Sequence, residues 1–575
     1  MRSCVVPATL EGYKKGDAVF QLSLTTVLLL LVGFYGLTFL VSLRIGRKQE
    51  NVDSYMVSNN SVGFGMSASS MTATWIWAAS FYAAASAGYK YGLSGALHYG
   101  FWGALMILFI YPFGRRFRQL APKAHTLGEI MHARHGRSSQ MILAGSNILG
   151  SGISLMVNFT AAGALVEVLS PLSFIHGVLI AGIGVLSYTL WSGFRSSILT
   201  DFGQLIAMIL AAIIIIPMIF FQLGGPELFT TGMSRLTPEQ ASFYSPTAIL
   251  EQGAPYFVAV LAYAIGNQTI AQRLFAVRED LIKPTFITAT LGYGAIVIGL
   301  GMLGLLALLA GVQPIDGNLN NLIPQMASSY LPPFVIGLFF IMVIGSLSST
   351  ADSDLSALSA IVMTDVYGKN LAKGKPNPTV MLWVGRLTMI VATMVGVIFA
   401  SLKLDILTML IFVGALWGAI VFPVIASMFW DRVTNKAFTW AVIAAFTLFL
   451  ISRFELLPLQ GVLAVFFELC ASIGGGVVIG LMAFGFFGRT VGIVLGTLTA
   501  LGLAPFAVGF LRDYPVLLSS LTAYGTSMVV CVAISLRSQE RFDFDHIGER
   551  VVAFQTTQPV STTKEEENIP CPVSL

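Results

Sequence analysis

The stretch Gly63-Phe-Gly-Met-Ser-Ala-Ser-Ser-Met-Thr-Ala-Thr-Trp-Ile-Trp-Ala-Ala-Ser80 combines the hydropathy of a membrane span with the side chains of a site. Ser67, Ser69, Ser70, Thr72 and Thr74 fall within eight residues, beside Trp75 and Trp77. A lipid-facing helix gains nothing from hydroxyls, because no water or protein partner meets them. Hydroxyls on several faces therefore predict a helix surrounded by protein or water. They also compete for backbone partners, which favours a local break. Small residues of this kind equally permit close helix packing, and the two roles are compatible.

The rest of the chain puts that stretch in a membrane. Of 575 residues, 55% are hydrophobic and only 10% charged, with a mean hydropathy of +0.80. A soluble protein carries roughly 25% charged residues, so lipid must be part of this chain's solvent. The net charge of +4 is scattered through short loops and gives nucleic-acid binding no support. Cys4, Cys470, Cys531 and Cys571 have no zinc or disulfide spacing. The run 21–43 is too long for a signal h-region and ends on Arg44, Arg47 and Lys48, so it is expected to stay as a first span.

Fifteen spans are expected, near 21–43, 63–89, 94–114, 139–169, 174–191, 198–222, 254–275, 285–312, 332–364, 379–402, 405–430, 437–452, 458–486, 490–511 and 514–536. Loops that follow odd-numbered spans hold nineteen Lys and Arg, against five after even-numbered spans. Cytoplasmic loops attract basic residues. The alternation predicts an outside N-terminal segment (1–20) and a polar cytoplasmic tail (537–575) that carries Lys564-Glu565-Glu566-Glu567.

Two further spans are unusual. The seventh carries Gly266-Asn267-Gln268, whose amides need partners that either a solute or neighbouring helices could supply. The ninth reads Gly345-Ser-Leu-Ser-Ser-Thr-Ala-Asp-Ser-Asp-Leu-Ser-Ala-Leu-Ser359, with six serines, one threonine and two aspartates. Adjacent hydroxyls and bared carbonyls offer the hard oxygens an alkali cation needs. Asp352 and Asp354 could also mark a polar helix end at the cytoplasmic headgroups. Spans 2–6 (63–222) and 7–11 (254–430) each open on a polar break, and five is odd, so the groups run in opposite senses. That is the pattern of a transporter with inverted repeats. The first span and its loop (21–62) and further spans (437–536) flank them.

Tyr188-Thr-Leu-Trp-Ser-Gly-Phe194, Thr200-Asp201-Phe-Gly-Gln204, Asn267-Gln268 with Gln272-Arg273, and Ser349-Thr350-Ala-Asp-Ser353 together resemble the sodium:solute symporter family. Thr72 to Ser80, Gly88 to Gly95, Arg118 to Glu129 and Ala133 to Gly136 are similar to the active urea transporter branch. That branch usually has a Ser-Ala-Glu-Leu-like run where this chain has Asp352-Ser-Asp-Leu355.

The resemblance implies an all-α fold of the leucine-transporter type, with a five-plus-five inverted repeat. It implies a sodium ion between spans 2 and 9, held by the carbonyls of Ser69, Thr72 and Ser346 and the hydroxyls of Ser349 and Thr350. Asp201 would lie on the inner sodium route, and Asp352 is a second candidate along it. Trp75, Trp77, Tyr263, Asn267 and Gln268 are the candidates for the solute.

The expectation is therefore sodium-coupled symport of a small polar solute, urea or urea-like, across the plasma membrane (the inner membrane in a bacterium). Proton coupling, a cationic or other organic solute (polyamine, choline, amino acid, pantothenate) and a sensor on a carrier scaffold are the alternatives. No nucleophile motif or phosphate loop suggests an enzyme.

Overall fold

The computed structural model describes residues 20–46, 51–373, 375–552 and 554. The expected outer segment up to residue 19, the basic residues Arg47 and Lys48, Cys4 and Cys571, and the Lys564–Glu567 run lie outside the described residues. The chain folds as a bundle of helices. Among the described residues, fourteen helices are long and apolar enough to cross a membrane.

That count meets the expected fifteen at one glycine. The 41-residue stretch Ser80–Leu120 contains a chain reversal at Gly92 (φ 67°, ψ −141°), a backbone conformation that disfavours any side chain. Ahead of Gly92, Thr72 packs on Gly292 and Ala85 on Gly304, the numbers rising together, and Gly88 packs between Gly301 and Leu305. Beyond it, Ala96, Gly100 and Gly103 pack on Gly301, Ile298 and Tyr293, in the opposite sense. Leu93 N–H donates to the Gln240 carbonyl at 3.0 Å, and the Gln240 amide donates to the Lys90 carbonyl at 3.2 Å, which pins the turn. The second crossing is therefore Phe64–Trp75 plus residues 78–91, and the third is residues 93–120.

The described ends of the chain lie at opposite ends of the bundle, as an odd number of crossings requires. Leu22 N–H donates to the Leu169 carbonyl at 2.8 Å, at the far end of the Arg137–Leu169 span. The short helix Asp545–Arg550 lies at its near end, where Arg550 donates to the Ala133 carbonyl at 2.8 Å.

Burial separates working spans from lipid-facing ones. The ninth span, Pro333–Leu371, has 78% of its apolar window buried, against 22% for Pro378–Ala400 and 11% for Arg489–Ala507. The last two turn Leu387, Met394, Ile398, Leu498 and Leu501 outward, as a helix in lipid must. Hydroxyl-rich sequence thus sits at the centre and bland sequence at the rim. Asp352 and Asp354 are fully buried, so they do not form a polar helix end at the headgroups.

Candidate functional site

The second crossing breaks where its hydroxyls predicted. The helix Phe64–Trp75 ends at Ile76 (φ −81°, ψ 62°), Trp77 is extended (φ −84°, ψ 175°), and a new helix starts at Ala78. The carbonyls of the break turn to the ninth span. Thr350 Oγ1 donates to the Thr74 carbonyl at 2.7 Å, and Ser346 Oγ donates to the Ile76 carbonyl. The Ser349 hydroxyl donates to Asp201 at 2.5 Å. Ser346, Ser349 and Thr350 thus stand together against span 2. Thr72 lies one turn before the break, and its carbonyl accepts Ile76 N–H at 2.9 Å. Ser69 is half-buried and bonds the Gly65 carbonyl at 2.6 Å.

Asp201, at the start of the Phe194–Gln222 helix, sits under this contact. Its carboxylate accepts from Ser70 at 2.6 Å and from Arg273 at 3.0 Å. Arg273 comes from the second half of span 7. It also donates to Ser70 at 3.0 Å, to Ser353 at 2.6 Å and to the Thr269 carbonyl at 3.2 Å, and it lies over the Phe194 ring. Asp352 accepts from Ser197 at 2.5 Å and from Tyr188 at 2.6 Å. Two carboxylates and one guanidinium, all buried, thus join spans 2, 5, 6, 7 and 9 behind the break. Each carboxylate is hydrogen-bonded, as burial of charge demands.

The seventh span breaks at Asn267 (φ −94°, ψ 114°), whose side-chain carbonyl caps the following helix through Thr269 N–H at 2.8 Å. The gap between the two breaks is a cavity. Thr74, Trp75, Trp77, Tyr263, Asn267, Thr269, Thr350, Asp354 and Trp417 line it. Trp75 and Tyr263 meet edge to face at 6.1 Å, and Tyr263 and Trp417 do so at 5.1 Å. Its free space, ≈ 20 Å³ for the centre of a water-sized sphere, holds about one water.

Trp75, Trp77, Tyr263 and Asn267 therefore meet at one cavity, and Gln268 does not join them. The Gln268 side chain faces the opposite way, donating to the His125 carbonyl at 2.9 Å and accepting Leu127 N–H at 3.1 Å. Trp417, Asp354 and Arg273 complete the arrangement. Arg273 stood inside a quoted motif and Asp354 inside a quoted span, but Trp417 lies in an apolar run with no polar neighbour to mark it.

A model of the sodium:solute symporter family matches residues 55–445. The sodium/pantothenate symporter of Escherichia coli K12 is 26% identical over 74% of this chain and 89% of its own. The high-affinity proline transporter of Bacillus subtilis is 24% identical over 72% and 87%. The probable urea active transporter 1 of Schizosaccharomyces pombe is 23% identical over 71% and 66%. Among solved structures, a Na+-coupled sialic acid symporter in its outward-open state shares the fold, with a TM-score of 0.65 at 19% identity, over 83% of this chain and 98% of the other.

Proposed function

The chain belongs to the sodium:solute symporter family, and from that premise we propose that it couples an inward sodium gradient to uptake of a small polar solute, urea or a urea-like molecule. The observation that carries the coupling is the contact between the broken second span and the ninth. Bared backbone carbonyls at Thr74 and Ile76 face the Thr350 and Ser346 hydroxyls, with Ser349 and Asp201 adjacent. These are hard oxygen donors around a break, the chemistry an alkali cation takes in place of water. Ser346, Ser349 and Thr350 are the proposed ligands from span 9, with carbonyls of span 2 from Ser69 and Thr72 up to the break. Asp201, held by Arg273, and Asp352 line the proposed route inward. The aromatic cavity between the two breaks is the proposed solute site, and it must widen from its one-water size to admit the solute.

Sodium bound there would hold the two halves of span 2 in register and complete the cavity wall at Thr74 and Trp75. Ion and solute then favour the same states of the carrier, which is what coupling requires. One charge moving down 100 mV supplies about 2.3 kcal/mol, or about fiftyfold accumulation of a neutral solute. The basic loops support a plasma-membrane orientation with the tail inside. The experiment is uptake of labelled urea into proteoliposomes with and without a sodium gradient. Uptake indifferent to sodium would overturn the proposal.

A further inference from the structure

We propose that Asp354 sets the solute class: it accepts N–H donors and turns carboxylate-bearing solutes away. This rests on the cavity's being the solute site. Asp354 lines the cavity from span 9 and is 2% exposed, and its Oδ2 has no hydrogen-bond partner among the described residues. Its carboxylate leans on Ser151 and Ser154 from the Arg137–Leu169 span. Among the described residues, no Lys or Arg lines the cavity. Arg273, the nearest candidate, is spent on Asp201, Ser70, Ser353 and the Thr269 carbonyl. A buried acceptor with a vacant lone pair, beside a guanidinium already taken by other partners, favours N–H donors and leaves a carboxylate head group unpaired. The walls are the faces and edges of Trp75, Trp77, Tyr263 and Trp417, which suit a flat or compact polar molecule. Urea fits this chemistry and pantothenate and proline, with their carboxylates, do not.

Sodium-driven uptake by the purified full-length protein in proteoliposomes is compared for urea, putrescine, proline and pantothenate. Uptake of urea, putrescine or both, with neither carboxylate transported, is expected. Putrescine alone would still place an N–H donor on Asp354. Asp354→Asn should raise KM about tenfold or more while leaving the sodium dependence in place, and Asp354→Glu should recover part of the loss. Wild-type uptake of proline or pantothenate, uptake of none of the four, or an unchanged KM in folded Asp354→Asn overturns it. Sodium-independent urea uptake whose KM still rises in Asp354→Asn would refute the coupling alone.

A second observation lies at the end of the bundle that the basic loops assign to the cytoplasm. We infer that residues 542–552, together with Phe554, form a strap that holds this end closed. Phe542 N–H donates to the Asp431 carbonyl at 3.0 Å. The Phe542 ring lies under the Arg134 guanidinium at 4.1 Å. Arg550 donates to the Ala133 carbonyl at 2.8 Å, and the Arg550 carbonyl accepts Lys369 Nζ at 3.4 Å. Phe554 N–H donates to Asp53 at 2.9 Å, and its ring lies 5.0 Å from that of His125. One short segment thus ties the loop before span 2, the helix Leu127–His135, the end of span 9 and the loop after span 11. The helix Leu127–His135 belongs to the first five-span group and the end of span 9 to the second, with the other two loops flanking them, and rocking of one group against the other would part these ties as the carrier opens inward.

The test is a disulfide between Asp53→Cys and Phe554→Cys in a protein freed of its native cysteines, read by solute exchange with and without reductant. Exchange should fall at least tenfold when oxidised and return on reduction. Deleting residues 542–575 should increase labelling of a cysteine placed at Thr269 from the inner side. Unchanged exchange in the oxidised protein overturns the strap, as does unchanged labelling after the deletion.

Discussion

Arg273 and Asp201 form an ion pair 3.0 Å apart, with side-chain exposures of 2% and 0%. Neither can find water if the other is removed. Arg273→Met should destabilise the protein by about 3–5 kcal/mol, because it leaves a buried carboxylate uncompensated. Asp201→Asn with Arg273→Met should cost clearly less than the sum of the two single changes. Thermal unfolding of detergent-solubilised protein measures this, and additive losses would show that the pair is not a unit.

Thr350 and Ser349 face different partners across the same gap, the Thr74 carbonyl and Asp201. Replacing both by Ala should raise the sodium concentration for half-maximal uptake at least about tenfold, since two of the proposed oxygen ligands would disappear. Uptake measured against sodium from micromolar to molar checks it. An unaltered sodium curve would place the ion elsewhere.

How far the site was legible depended on what surrounded each residue. Hydroxyl clusters in apolar runs announced the break at Ile76–Trp77 and the burial of Ser346 to Thr350, because lipid makes such clusters costly. The reversal at Gly92 falls in the gap expected between spans 63–89 and 94–114, whereas the pairing of Arg273 with Asp201 was not legible. The ion pair joins residues 72 positions apart, and only the packing of the two five-span groups brings them together. Gln268 looked like a solute ligand because amides in a span need partners, and its partners turn out to be the His125 and Leu127 backbone.

Gly304 packs its α-carbon against the Ala85 carbonyl so closely that a Cβ would come within 1.9 Å of that oxygen. Backbone cannot yield as a flexible side chain can, so Gly304→Ala must separate span 8 from span 2. A loss of stability of roughly 1–3 kcal/mol is expected, with reduced yield of folded protein. Gly145→Ala, at a position with open space around it, is the control and should be near neutral. Equal melting temperatures for the two variants would contradict the close approach.

His125 makes the end of the bundle that holds residues 545–552 sensitive to alkali. Burial disfavours its charge, but the ring bonds Asp53 at 2.6 Å and Glu129 at 3.1 Å, and these carboxylates raise its pKa to about 9. Glu129 also pairs with Lys369 at 3.2 Å, and Asp53 holds Phe554 N–H. A histidine whose folded-state pKa is raised gives its full stabilisation below about 6.5, its ordinary value, and loses it as the pH climbs through about 9. The amount at stake is on the order of 3 kcal/mol. Unfolding temperatures of wild type and His125→Gln should therefore differ most at pH 6 and converge by pH 10. Hydrogen exchange at residues 545–552 should accelerate over the same interval in the wild type. A difference between the two proteins that stays constant from pH 6 to 10 would show that the histidine is neutral in the folded state.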